Sequence, residues 1–319
     1  MPKTKDKAKR VIAALAKQVP IHQIKQAESK DDADWFRVSK KAYDIYLEKE
    51  REKRKESESK PNVLCTSVNE IKGIISLNDK LADYALSIPA IATMSEVKQI
   101  EKLIGSMPNN EHSIISILEN STMCPRVRAL QKKGRFEHFP PFKEFSAIIE
   151  AATISFYRGN FIAAYLTLIP VVEGVVLRWL GYSGEGKKPE FEDLRKFFRN
   201  SHTRQPCPGN ALFYEVYSKA CDKLLTEHLF KPSDKGDAYS NFNRHLAAHL
   251  LNSSQFATKD NCIRLFLLLD VMTELYYYET YCVDPRFNLT GEQIALELDT
   301  YCLLKSQTNT VEEKLLGKP

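Results

Sequence analysis

The chain of 319 residues is 43% hydrophobic and 10% aromatic, which excludes a chain too polar to bury a sizeable core. Its net charge of +5 is unevenly placed: residues 1–60 hold 17 Lys and Arg against 11 Asp and Glu, whereas the other residues hold 29 against 30. The 7 cysteines are scattered without a Cys-x2-Cys pair, which argues against a zinc ribbon or a disulfide scaffold. Because the sequence shows no secretory leader, we expect these cysteines to be reduced thiols in a cytoplasmic protein.

Helical periodicity recurs along the chain and strand-like alternation is rare, so the sequence predicts an all-α protein. Residues 1–60 are expected to form a charged helical arm, with helices over 5–17 and 33–55. The basic excess of this arm suits contact with nucleic acid phosphates. The alternative is that its mixed Lys and Glu runs form solvated helix faces, which is the commoner role of such runs.

Residues 61–140 are predicted to be a helical region of unknown role, and the proline-containing stretch 121–142 marks a boundary. Residues 141–285 are predicted to be one helical domain, and residues 286–319 a C-terminal helix and tail. The predicted helices lie at 67–86, 95–104, 111–118, 143–157, 160–181, 190–200, 209–229, 238–252, 259–281 and 292–304. Two of them are strongly apolar but carry charged residues, so we expect buried helices and no membrane span.

The stretch from Asn243 to His249 places an arginine and two histidines within seven residues of a predicted helix, with Asp237 or Ser240 as its expected cap. His245 and His249 are four residues apart and should share a helix face, while Arg244 lies about 100° round the helix. Imidazoles transfer protons near neutral pH, and a guanidinium can hold a phosphate through two hydrogen bonds. The stretch therefore predicts chemistry on a phosphate.

Arg244 and His249, in an Arg-x4-His spacing with the polar His245 directly after the arginine, resemble the signature of the HEPN superfamily (higher eukaryotes and prokaryotes nucleotide-binding domains). The segment 157–174 upstream and the apolar helix after the motif resemble the same domain. The resemblance covers roughly residues 141–285 and implies a C-terminal HEPN-like helical bundle. Many relatives have a glycine after the final histidine, where this chain has Leu250.

Many members of that superfamily are metal-independent endoribonucleases in toxin, abortive-infection and other anti-phage systems. The resemblance therefore implies cleavage of RNA by attack of the 2′-hydroxyl, leaving a 2′,3′-cyclic phosphate and a 5′-hydroxyl, with no cofactor and no metal. His249 would act as acid and base, Arg244 would hold the scissile phosphate, and His245 would position groups or share a proton. The implied partners are a second copy in a homodimer, RNA (transfer RNA being one candidate), and an antitoxin or sensor protein.

Other interpretations of the same residues stay open. His249 can be a structural histidine, and Arg244 can form a salt bridge with Glu173, a carboxylate within an apolar helix that needs a partner. We favour a combination in which Glu173 orients Arg244 or His245, with Asn243 as a further supporting residue. The alternative function is a non-catalytic HEPN-like module that binds a partner protein or a nucleotide.

The apolar helix 262–281 and the motif helix should supply the surface of a symmetric dimer. The tyrosines 276–278 can stack on bases, although aromatic residues on an apolar helix are more often core. His202, Cys207 and His228 do not have the spacing of a zinc site.

Overall fold

This computed structural model describes residues 68–199, 211–232, 237–249, 256–280 and 284–316, together with the single residue Glu52. The predicted arm, residues 1–60, otherwise lies outside the described residues. Those residues form thirteen α-helices and no strand, which confirms the all-α prediction. The helices are α1 Val68–Ala82, α2 Met94–Ile104, α3 Glu111–Thr122, α4 Pro125–Gln131, α5 Pro140–Lys143, α6 Ser146–Tyr157, α7 Phe161–Trp179, α8 Phe191–Arg195, α9 Ala211–Lys223, α10 Arg244–His249, α11 Lys259–Thr280, α12 Gly291–Ser306 and α13 Val311–Leu316.

Residues 121–142, predicted to be a boundary, contain α4 and α5 instead. Pro125 and Pro140 lie at the first helical positions, where a proline does not interrupt a backbone hydrogen bond and its fixed φ favours the helix. A π-helical segment, Lys132–Phe136, continues α4, and a second one, Leu224–Leu229, continues α9. The prolines Pro125 and Pro140 therefore start helices here.

Helix α11 lies at the centre of the fold. All of its residues from Asn261 to Leu275 are buried, and α3, α7 and α9 pack around it. This agrees with the predicted apolar helix over 259–281. Because the helix is covered inside its own chain, its apolar side chains are not available for the dimer surface that the sequence analysis expected from it.

Three charged side chains on α11 have partners of opposite charge in the segment from Glu111 to Arg135. Arg264 pairs with Glu111, and Asp270 pairs with Arg128. Glu274 accepts a hydrogen bond from Arg135 at 3.1 Å. Removing one partner of such a pair leaves a buried charge uncompensated, which typically costs about 3–5 kcal/mol.

The described parts of the three regions expected from the sequence share one hydrophobic core, which runs from Ile71 on α1 to Tyr301 on α12. A buried hydrogen bond of 2.8 Å from Asn78 to the backbone oxygen of Val216 also ties α1 to α9. The expected boundary near residue 140 therefore does not coincide with a break in the core. Helix α12, expected to lie outside the domain, packs on α4 and α6.

Helix α7 is the one described helix that is long and apolar enough to cross a membrane by length and composition, and 44% of its most apolar window is buried inside the protein. Core helices pass the same test. Its two charged residues, Glu173 and Arg178, are paired with Arg244 and Glu144 at 2.9 and 2.7 Å. The helix packs against α5, α6 and α11, as expected of a core helix.

The tyrosine run at the end of α11 packs within the protein. Tyr278 is buried and stacks on Tyr217, with ring centroids 6.4 Å apart. The guanidinium of Arg135 lies 4.5 Å from the centre of the Tyr277 ring, and Tyr276 lies 5.1 Å from Trp179. These contacts support the core interpretation of the run.

Candidate functional site at the Arg244 motif

The helix that carries the motif begins later than predicted. It begins at Arg244 because Ser240 and Asn241 have φ values of 53° and 56°, which no α-helix accommodates. The expected caps, Asp237 and Ser240, do not cap it, and residues 250–255 lie outside the described part of the chain.

The residue that caps α10 is Asn243, one of the two predicted supporting residues. Its side-chain oxygen accepts hydrogen bonds from the backbone N–H groups of His245 at 2.7 Å and Leu246 at 3.4 Å. Its amide nitrogen donates to the backbone oxygens of His228 at 3.1 Å and Lys231 at 3.0 Å. Only 5% of Asn243 is exposed. One buried side chain thus joins the start of the motif helix to the end of the π-helical segment after α9.

Arg244 is held on two sides. Its Nε donates to Oε2 of Glu173 at 2.9 Å, and its guanidinium carbon lies 5.6 Å from the centre of the Phe191 ring. The predicted pairing of Arg244 with Glu173 is therefore present. Among the described residues, neither terminal nitrogen of Arg244 has a hydrogen-bond partner, so two donors on one side of the guanidinium remain open for a ligand.

His245 and His249 lie side by side, as their four-residue spacing predicted. Their ring centroids are 4.5 Å apart with an interplanar angle of 63°. His245 is half-buried and His249 is exposed. Arg244 and His249 are five residues apart, which places them about 140° apart around the helix.

Beside the motif lies a cavity of about 280 Å³, called here the Arg244 cavity. It is lined by Phe191, Leu229, Phe230, Lys231, Pro232, Arg244 and His245. His249 does not line it. Within one chain the structure therefore places Arg244, paired with Glu173, and His245 at the same cavity, while His249 contacts His245 and is exposed outside it.

A second cavity, of about 320 Å³, lies on the other side of Lys231 and Pro232, which line both. His228 lines this second cavity, and its Nε2 donates to the backbone oxygen of Ala82 at 2.8 Å, since a carbonyl can only accept. Burial lowers the pKa of His228 to about 4, so the ring is neutral at physiological pH. Its Nδ1 is buried without a hydrogen-bond partner among the described residues.

Five of the seven residues that line the Arg244 cavity were missed by sequence reasoning, Phe191 and Lys231 among them. Phe191 is about fifty positions from the motif and belongs to a different helix, so no local pattern links them. Lys231 is one of four lysines in the chain that directly precede a proline, so its sequence context does not single it out.

No group of three or more His, Cys, Asp or Glu side chains in the described ranges is arranged to hold a metal ion. The four described cysteines, Cys124, Cys221, Cys262 and Cys302, form no disulfide with one another. Comparisons with protein-family models, curated proteins and solved structures found no match for this chain.

Proposed function

We propose that this protein is a metal-independent endoribonuclease of HEPN type. The observation that carries the proposal is the state of Arg244. Glu173 and Phe191 fix its guanidinium at the wall of a cavity, and its two terminal nitrogens have no partner among the described residues. A guanidinium fixed in this way is ready to receive the two oxygens of a phosphate group.

The reaction that such a site supports is an internal phosphoryl transfer in RNA. A base removes the proton of the ribose 2′-hydroxyl, and the 2′-oxygen attacks the adjacent phosphorus. The bond from phosphorus to the 5′-oxygen breaks, and an acid protonates that oxygen. Arg244 stabilises the extra negative charge of the pentacoordinate transition state. We assign the acid and base role to His249 and a positioning or proton-sharing role to His245.

Because His249 is exposed, the proposed nuclease requires a second copy of the chain to complete its cleft. In one chain His249 does not line the Arg244 cavity, so we propose that a second copy supplies it. Two motif helices would face each other in a homodimer, and each cleft would combine Arg244 of one protomer with His249 of the other. This part of the proposal rests on the resemblance, because the apolar surface of α11 is covered within the chain.

The same observation favours the alternative function if no second copy completes the cleft. The chain would then be a helical module that binds a nucleotide phosphate at Arg244 without cleaving it. The setting we propose for the nuclease is a cytoplasmic toxin or anti-phage defence system, in which RNA, with transfer RNA as one candidate, is the target and an antitoxin or sensor protein is a further partner.

The decisive experiment measures RNA cleavage by the purified full-length protein in EDTA. We expect cleavage that leaves 2′,3′-cyclic phosphate ends. Arg244→Ala and His249→Ala should each abolish it, while the helical circular dichroism stays unchanged. Arg199→Ala, which removes an exposed arginine that pairs with Asp222 outside the cavity, is the matched control and should cleave normally. Full activity of His249→Ala would contradict the mechanism.

The composite cleft is tested by mixing two inactive variants. Arg244→Ala and His249→Ala, refolded together, form heterodimers in which one of the two clefts has both residues intact. A statistical mixture should recover roughly a quarter of the wild-type rate if the clefts are shared between protomers. No recovery, or a protein that is active as a monomer in light scattering, would refute the shared cleft.

A further inference from the structure

The wall of the Arg244 cavity contains an aromatic ring, Phe191, whose exposed surface has no role in the proposed cleavage chemistry. Phe191 is 43% exposed, although Leu229 and Phe230, which line the cavity with it, are buried. Its ring meets Phe230, which is 1% exposed, edge to face at a centroid distance of 5.5 Å. The buried Phe230 ring therefore holds the Phe191 ring in place, while part of Phe191 stays exposed to solvent.

The short helix that carries Phe191 is anchored to the protein. Leu194, one turn further along α8, is 1% exposed, and α8 packs on α7. The backbone N–H of Glu190 donates to the Asp193 carboxylate at 2.9 Å, which closes the first turn of the helix. The ring is thus presented on a fixed support, and no further folding is required before a ligand can use it.

The surroundings of Phe191 indicate what kind of ligand suits it. The central guanidinium carbon of Arg244 lies 5.6 Å from the centre of the Phe191 ring. The terminal nitrogens of that guanidinium suit a phosphate, and the ring suits a flat aromatic group. Lys231 adds a cation to the same cavity. At about 280 Å³ the cavity lies just below the usual range of roughly 300–1,000 Å³ for ligand pockets, which suits one flat ring more than a large ligand.

We propose that Phe191 is a stacking platform for one unpaired nucleobase of the RNA whose phosphate Arg244 holds. The proposal deepens the proposed function, on which its placement beside the scissile phosphate rests. A base can stack on Phe191 only after it has left its own helix, because the bases of a duplex are stacked on one another. The substrate is therefore an RNA with an unpaired nucleotide at the cleavage site, such as a loop or a single strand.

Stacking also limits what Phe191 can discriminate. Every base has a flat face, so an aromatic platform accepts all four with similar affinity. We therefore assign to Phe191 the choice between unpaired and paired RNA, and no choice between sequences.

The test measures binding without cleavage. The probe is a fluorescent 2′-O-methyl oligonucleotide, which lacks the 2′-hydroxyl nucleophile, presented as a single strand and as a blunt duplex to the full-length protein. Phe191→Leu keeps an apolar side chain against Phe230 and removes the aromatic face. It should weaken single-strand binding by about 5- to 150-fold, the loss associated with one base stacked on an aromatic side chain. Phe191→Trp should bind at least as tightly as the wild type.

Phe287→Leu is the matched control, since Phe287 is 84% exposed on a turn outside both cavities. A second set of strands carries one abasic residue at successive positions. One abasic position should weaken binding to the wild type as much as Phe191→Leu does, and should cause no further loss in that variant, because both changes remove the same contact. If the two losses add in full, or if the duplex binds as well as the single strand, the platform is refuted.

The outcomes also separate this proposal from the proposed function. If Phe191→Leu loses single-strand affinity and the wild type cleaves no RNA, the platform stands and the nuclease falls. If RNA is cleaved in an Arg244-dependent manner and Phe191→Leu binds normally, the nuclease stands and the platform falls. With a cleavable substrate, Phe191→Leu should raise KM by a larger factor than it lowers kcat, because it removes the stacking face as well as one of the two contacts of Arg244. A lower kcat with unchanged KM would show that the ring only positions Arg244, which overturns the platform.

Discussion

Acid should destabilise this protein through His228. The ring lies 6% exposed against the backbone of Ala82, and burial is the largest cause of its lowered pKa, about 4, with nearby Arg264 as a further cause. An unfolded chain has a histidine pKa of about 6.5. Above about pH 6.5 both states carry a neutral ring. As the pH falls below that value, the unfolded chain takes up a proton that the folded protein does not, so the free energy of unfolding decreases.

The size of this loss follows from the two pKa values. The difference is about 2.5 units, which corresponds to roughly 3 kcal/mol once the pH is below both values. At about pH 5 the unfolded state is almost fully protonated at this residue and the folded state is not, and the loss is about 2 kcal/mol. A loss of this size is a substantial fraction of the roughly 5–15 kcal/mol that stabilises a typical domain.

The assay is urea unfolding followed by helical circular dichroism between about pH 8 and pH 5, with linear extrapolation to water. His228→Gln keeps a nitrogen that can donate to the Ala82 oxygen but does not titrate. Its free energy of unfolding should fall by about 2 kcal/mol less than that of the wild type over this interval. His112→Gln, at an exposed histidine, controls for the substitution itself. Parallel curves for the wild type and His228→Gln would refute the reasoning.

Two further substitutions test the packing that positions the site. Gly174→Ala places a methyl group 2.6 Å from the Phe145 ring and should lower the free energy of unfolding by about 1–3 kcal/mol, whereas Gly73→Ala, which meets nothing within 4 Å in α1, should raise it by about 0.5–1 kcal/mol. Equal effects of the two, in urea unfolding, would contradict the close approach of Phe145 to α7. Arg128→Met should cost about 3–5 kcal/mol because it leaves Asp270 buried and uncompensated, and adding Asp270→Leu should restore most of that loss. A double variant as unstable as the single one would show that the cost comes from lost volume and not from charge.

The parts of the fold that local patterns determine were predictable from the sequence. The long apolar runs gave α7 and α11 within a few residues of their observed ends. The start of α12 follows a local pattern as well, since Thr290 and Gln293, three residues apart, exchange hydrogen bonds at 2.8 and 3.4 Å. At the site, the cost of burying a lone carboxylate predicted a cationic partner for Glu173, and Arg244 is that partner.

The parts that depend on distant contacts were not predictable. Arg128, Arg135 and Arg264 would each be placed at the surface by composition, yet all three are fully buried because a carboxylate from another element meets each one. The ring of Phe191 packs on Phe230, which belongs to a distant part of the chain. The ring of His228 is hydrogen-bonded to the backbone of Ala82, 146 positions earlier. The early start predicted for the motif helix was wrong because the backbone at Ser240 turns away from helical geometry.

The charges on α11 have a consequence for how the central helix is aligned. A helix that is apolar on every side can rotate or slide by one turn and still bury its surface, so several settings compete. Arg264, Asp270 and Glu274 each meet a partner on a different element, and a slip of one turn would separate all three pairs at once. The pairs therefore select a single register for α11.

The register of α11 also determines where the motif lies. The side chain of Asn261 on α11 donates to the backbone oxygen of Ser240 at 2.7 Å, just before α10. Apolar replacements of the α11 charges can thus leave a stable helical protein whose motif is misaligned, and such variants would lose function before they lose their fold.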